Sequence, residues 1–166
     1  MEEATKLTAN PSVRCQQITA AQTVSLRHSV LWPDAPISHV ILPEDAQGWH
    51  YGAFIVNDSS SDDHPIAVIS LFVESCPQTD SEGDADAGKA IRFRKFACDP
   101  AYQGRGIGTS LLQHVLSVAR AEFGGTLLWC DAREATKGWY QRRGLLPFGT
   151  TFWKGPVEYI RMKIDL

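Results

Sequence analysis

The stretch Gln103-Gly104-Arg105-Gly106-Ile107-Gly108-Thr109-Ser110 decides how this chain is read. It stands where an amphipathic helix must begin. Ile107, Leu111, Val115 and Ala119 fall on one stripe, with Leu112 and Leu116 beside it. Glycine is a poor choice there, since in a helix interior it is about 1 kcal/mol worse than alanine. A plain loop, close helix–strand packing or drift accounts for any single glycine. Three alternating glycines between a strand and a strongly periodic helix fit an anion seated on the helix N-terminus. The first helical turn leaves N–H groups without partners, and its dipole favours negative charge. Without a Cβ, the main chain can be approached closely.

On the N-terminal side, "KAIRFRKFACD" (residues 89–99) reads as a strand that ends at Pro100. Alternation places Ile91, Phe93 and Lys95 on one face and Arg92, Arg94, Phe96 and Cys98 on the other. On the C-terminal side the helix is predicted over 105–123 and stopped by Gly124 and Gly125. "TLLWCDA" (126–132) reads as a strand buried on both faces. "EATKGWYQRRG" (134–144) reads as a short helix, and "LPFGTTFW" and "VEYIRMKID" as two closing strands.

Upstream, "VRCQQIT" (13–19) is a first strand, and residues 20–32 carry a rough helical stripe that stops before Pro33. Residues 33–48 hold three prolines and read as an irregular excursion with at most one short helical turn. "WHYGAFIV" and "PIAVISLFVES" flank the turn-forming "NDSSSDDH" and are predicted to form an antiparallel hairpin. Residues 76–88 read as an acidic flexible loop, and 1–11 as a flexible tail ahead of a single domain over 12–166. The order of elements is an α/β mixture with part of the sheet parallel.

The chain has 166 residues and a formal net charge of -3, without the basic footprint of nucleic-acid binding. It lacks an apolar run of about 18 residues, so a membrane span is not expected. The first residues have neither the basic nor the apolar region of a signal peptide, and a cytosolic location is the expectation. Cys15, Cys76, Cys98 and Cys130 are scattered, which favours free thiols over a zinc site. No metal is expected.

The glycine spacing fits neither a Walker loop, which needs a lysine after the last glycine, nor a dinucleotide fingerprint. It resembles the signature [RQ]-x-x-G-x-[GA] of the GNAT superfamily of acyl-CoA-dependent N-acyltransferases. "FACDPAYQGRGIGTSLLQHVL" is similar to that family's strand–Pro–signature–helix unit, and "WYQRRGL" (139–145) resembles its second segment. "LLWCDAR" and "RHSVLWP" are similar to segments of one bacterial and fungal subgroup.

The resemblance implies a mixed, mostly antiparallel twisted sheet, splayed between two central strands and flanked by helices. It implies acetyl-CoA as acyl donor and a small-molecule or peptidyl amine as acceptor, with a homodimer left open. Pantetheine would pair with the main chain of Phe96, Ala97 and Cys98. The pyrophosphate would meet Gly104, Arg105, Gly106, Ile107, Gly108 and Thr109, with Gln103 holding the turn or the phosphate. Tyr140 would sit near the sulfur as catalytic group, hydrogen bonding to the departing thiolate. No base is assigned. The family's strand carboxylate is missing, and His50, Glu74 and Asp131 are candidates elsewhere, beside a water chain to solvent. Acceptor identity is not readable from the sequence: Asp34, Glu44, Asp45 and Glu158 would attract a cationic amine or are ordinary solvated surface. The alternative is a catalytically weak acyl-CoA-binding module.

Overall fold

The computed structural model describes residues 11–56, 64–77 and 88–166. The expected tail and the acidic loop fall almost wholly outside these residues, as does most of the turn between the hairpin strands. Among the described residues seven runs form strands: β1 (Val13–Ile18), β2 (Trp49–Ile55), β3 (Ala67–Val73), β4 (Ala90–Cys98), β5 (Leu127–Arg133), β6 (Leu146–Lys154) and β7 (Val157–Asp165). They make one sheet in the order β1-β2-β3-β4-β5-β7-β6. Each neighbouring pair is antiparallel except β4 and β5. The helices are α1 (Val24–Leu26), α2 (Ile107–Ala121) and α3 (Lys137–Gln141).

The parallel pair is short. Ala90, Ile91 and Arg92 pair with Leu127, Leu128 and Trp129, and beyond that the strands part. The cause of the parting is visible in β4. Opposite β3, Val68 pairs with Ala97 and Ser70 with Arg94, so Lys95 and Phe96 together face one residue. This is a bulge, which raises local twist and re-aims side chains. Lys95 adopts φ 53°, the one left-handed non-glycine among the described residues.

The bulge corrects the alternation expected for this strand. Phe96 and Cys98 pack on the same side as Ile91 and Phe93, not with Arg92 and Arg94. Ala97 instead joins Ile18, Leu26, Phe54 and Val68 on the opposite face. An inserted residue reverses the period-two pattern downstream, and nothing in "RKFAC" announces it.

The main core lies between the sheet and α2. Ile107, Leu111, Leu112, Val115, Val118 and Ala119 bury the predicted stripe against Tyr51, Ile69, Leu71 and Phe93. On the other face α1 is flanked by a 3-10 turn (Ala21–Thr23) and a π turn (Arg27–Leu31) that ends before Pro33. The excursion holds two 3-10 turns, Ile37–Val40 and Pro43–Gln47, where at most one was expected. Pro43 suits the first position of such a turn, where no N–H is needed.

Arg27 fastens this layer. Its guanidinium, fully buried, donates to both Asp45 carboxylate oxygens at 2.8 and 3.0 Å. It also donates to the Val40 carbonyl at 3.0 Å and to Ser70 Oγ at 2.8 Å. His50 lies 2.7 Å from Ser70 Oγ through Nδ1 and 3.0 Å from the Asp45 carbonyl through Nε2. A carbonyl only accepts, so Nε2 carries a proton toward Asp45. One network thus joins the π turn, the excursion, β2 and β3.

Candidate functional site

The segment after β4 is shaped by its own side chains. Asp99 accepts the Ala101 N–H at 2.9 Å, opening a 3-10 turn over Pro100–Tyr102. The Gln103 carboxamide donates to the Cys98 carbonyl at 2.9 Å, so it holds the turn. Gly104 and Gly106 then take φ of 76° and 78°, which L-residues rarely adopt. The first α2 bond after Gly106 runs from the Ser110 N–H to the Gly106 carbonyl at 3.0 Å. The Ile107, Gly108 and Thr109 N–H groups therefore have no intrahelical acceptor.

These amides open on a cavity of about 490 Å³. Of the residues expected there, Phe96, Cys98, Gln103, Gly104, Gly106, Ile107, Gly108, Thr109 and Tyr140 line it. Ala97 and Arg105 do not. Ala97 turns its side chain to the opposite face, and exposed Arg105 lies over the Tyr102 ring at 5.8 Å. A Cβ on Gly108 would meet the Phe96 and Trp139 rings at 3.5 Å, so a glycine keeps this cradle open.

Arg143 was not singled out from sequence, yet it braces the helix start. Its Nε donates to Thr109 Oγ1 and its Nη1 to the Trp139 carbonyl, both at 2.8 Å. Its guanidinium stacks 3.6 Å from the Trp139 ring centre. The spacing of Trp139 and Arg143, one helical turn, was the available clue.

A second cavity, about 330 Å³, fills the gap between β4 and β5. Tyr140 lines both cavities, together with Phe96, Gln103 and Thr136. Tyr140 is buried, packed on Phe93 and Trp139 at ring separations of 5.8 and 5.1 Å. Burial, and secondarily Cys130, raises its phenol well above the usual value, so it remains a neutral donor. Burial pushes the Cys98 thiol up to about 11, with Asp99 adding to it, and raises Cys130 further. Neither is poised as a thiolate.

The carboxylate candidates are spoken for. Asp131, on the second cavity's wall, accepts from Arg92 at 2.8 Å and Lys154 at 3.0 Å, with Arg161 at 3.4 Å. Glu74 pairs with Arg92 at 2.9 Å. His50 is buried in the Arg27 network and lines neither cavity. Of the acids expected to draw a cationic acceptor, Glu44 is paired with Arg94 and Asp45 with Arg27. Asp34 is exposed and Glu158 half-buried, both off the cavity walls.

Lys95 stands out on that second wall. Burial pushes its ammonium down to about 8, with Arg94, Arg27, Lys154 and Arg133 adding to the effect. Folding therefore disfavours its charged form, and Lys95→Met, which keeps the same backbone, is expected to melt at a higher temperature at pH 7. The gain should shrink as pH rises from about 8 to 10.5, above which lysine is neutral in both states. Thermal melts across that range check this; a pH-independent gain would locate the effect elsewhere.

Among the described residues no helix is long and apolar enough to cross a membrane. No cluster of three or more His, Cys, Asp or Glu is placed to hold a metal there.

Residues 20–145 match the family model of the acetyltransferase (GNAT) family. The uncharacterized N-acetyltransferase YitI of Bacillus subtilis (strain 168) is 29% identical over 137 residues, covering 81% of this chain and 83% of its own. The fold is shared with FeeM, an N-acyl amino acid synthase from uncultured soil microbes. That likeness has a TM-score of 0.69 at 15% identity, over 93% of this chain and 91% of that one. The NatC complex bound to Gag peptide and CoA gives 0.70 at 13%, over 93% and 99%. In overall fold this chain, with its mostly antiparallel sheet parted between β4 and β5, is similar to both of these structures. A family match over most of its length and this architecture together make the chain a member of the GNAT acetyltransferase family.

Proposed function

We propose that the protein is an N-acetyltransferase that moves the acetyl group of acetyl-CoA to a primary amine by direct attack. The observation that carries this reading is the meeting of two cavities at Tyr140, one walled by the amides of α2 and one lying in the strand gap. The N–H groups from Gly104 to Thr109 would hold the pyrophosphate, with Gln103 and Arg143 keeping that turn in shape. Past Arg92 the β4 main chain has no β5 partner, so on that side Phe96 and Ala97 would be open to pantetheine, with Cys98, whose carbonyl accepts from Gln103, at the end of that edge.

In the reaction the amine nitrogen bonds to the thioester carbonyl carbon, and collapse of the tetrahedral adduct breaks the C–S bond. The Tyr140 hydroxyl donates to the sulfur as it gains charge. A phenol at ~10 is less acidic than a thiol at ~8.5, so hydrogen bonding rather than full transfer is its role. The raised thiols of Cys98 and Cys130 favour direct attack over an acyl-cysteine. With each cavity carboxylate paired, the amine proton leaves to solvent.

Tyr140→Phe is expected to lower kcat about 100-fold, with the KM for acetyl-CoA little changed. Steady-state thiol release checks it; full turnover would remove Tyr140 from the chemistry. The paired state of Asp131 and Glu74 is the observation that favours a binding module instead. Saturable acetyl-CoA binding without thiol release, across a broad amine panel, would support that second reading.

A further inference from the structure

The cavity between β4 and β5 is walled by five basic side chains, Arg92, Arg94, Lys95, Arg133 and Lys154, and one acidic one, Asp131. Three of the five are neutralised nearby: Arg92 and Lys154 by Asp131, and Arg94 by Glu44. Lys95 and Arg133 have no acidic partner among the described residues. Both approach one ring, that of Trp32, at 5.8 and 5.7 Å, and Arg133 otherwise donates to the Leu31 carbonyl at 3.1 Å. Two cations thus converge on the wall, each with a ring but no carboxylate against it among the described residues.

Lys95 is held there against local cost. Its φ of 53° is a left-handed conformation that a lysine rarely adopts. It is a half-buried cation on a central strand, where an apolar β-former would pack better. The bulge imposes this backbone and sets the Lys95 side chain over Trp32 on the cavity wall.

Resting on the acetyltransferase reading above, we propose that the acceptor is an amine bearing its own anionic group, a carboxylate or a phosphate ester, bound by Lys95 and Arg133 beside Trp32. The volume of about 330 Å³ suits a small molecule. The same cations serve the chemistry, because a positive surrounding disfavours an ammonium and releases the neutral amine that attacks. An amine with no anion would meet the repulsion without the compensating contact, so polyamines and unmodified amines are poor acceptors.

The test begins with acetyl-CoA binding by calorimetry and proceeds to thiol release with three matched acceptor sets: amino acids, aminoalkyl phosphates, and their neutral amides or alcohols. The expected result is kcat/KM at least 100-fold higher for one anionic set than for its neutral isosteres. Which set leads identifies the anion. Lys95→Met and Lys95→Gln are expected to raise the acceptor KM at least tenfold and narrow the gap between anionic and neutral acceptors. The KM for acetyl-CoA should stay within twofold, and Lys95→Arg should restore the preference. Neutral or polycationic amines used equally well, or an anion preference untouched in Lys95→Met, would overturn the proposal while leaving the acetyltransferase reading standing. Absence of saturable acetyl-CoA binding would overturn both.

Discussion

Gly106→Val is expected to abolish CoA binding in a protein that remains folded. Gly106 caps α2 with φ 78° and ψ 4°, a conformation in which a β-branched side chain is strained. The variant must swing this peptide into an ordinary region, which turns the neighbouring N–H groups away from the cavity. Hydrogen bonds to a charged group are worth about 1.5–3 kcal/mol each. Losing two would weaken binding by roughly 10²–10⁴. The hydrophobic stripe of α2 begins beyond this residue, so circular dichroism should be unchanged.

Gly108→Ala separates the cradle from the backbone. Gly108 has no positive φ, and its added methyl would touch Phe96 and Trp139 at ordinary distance. Alanine should stabilise the helix start by up to about 1 kcal/mol, while its methyl narrows the cavity beside Phe96 and Trp139 that the proposed anion would enter. A higher melting temperature with weaker CoA affinity is the expected pairing. Tight CoA binding by both variants would place the nucleotide elsewhere.

Asp45→Asn is expected to cost about 3–5 kcal/mol of stability, because it leaves the Arg27 guanidinium buried without its counter-charge. For a chain of this size that lowers Tm by roughly 6–20 °C. Burial alone would raise the Asp45 carboxyl, but hydrogen bonds from Arg27 and the Leu42 N–H outweigh it and hold the group below its ordinary value of 3.8. Its contribution is therefore full above that pH and fades as acid protonates the folded protein, so the difference from Asp45→Asn should close at low pH. Chemical denaturation at neutral and acid pH checks both parts. The double change Arg27→Met with Asp45→Leu should be less harmful than either single change, since no charge is then stranded. A neutral Asp45→Asn would show that the pair is solvated.

Much of the architecture was open to reading along the chain. The α2 stripe, the buried run at Leu128, Trp129 and Cys130, and the hairpin of β2 and β3 all follow from periods of 3.6 and 2. Nine of the residues expected around the glycines do line one cavity. The faces of β4 past Arg94 were misjudged, because a bulge forms only when β3 supplies a register to depart from. The buried Arg27 network has no signal along the chain, since its partners Asp45 and Ser70 stand 18 and 43 positions away.

Local properties, then, were set by the residues themselves. Glycine tolerates a left-handed turn, an apolar stripe demands a helix against a core, and alternation makes a strand, wherever each occurs. Tertiary structure alone decided the electrostatics: which acids are neutralised, that His50 is locked in a buried network, and that Lys95 and Arg133 converge on Trp32. Charge pairing depends on distance in space, and that distance exists only once β4 and β5 have been brought side by side and parted.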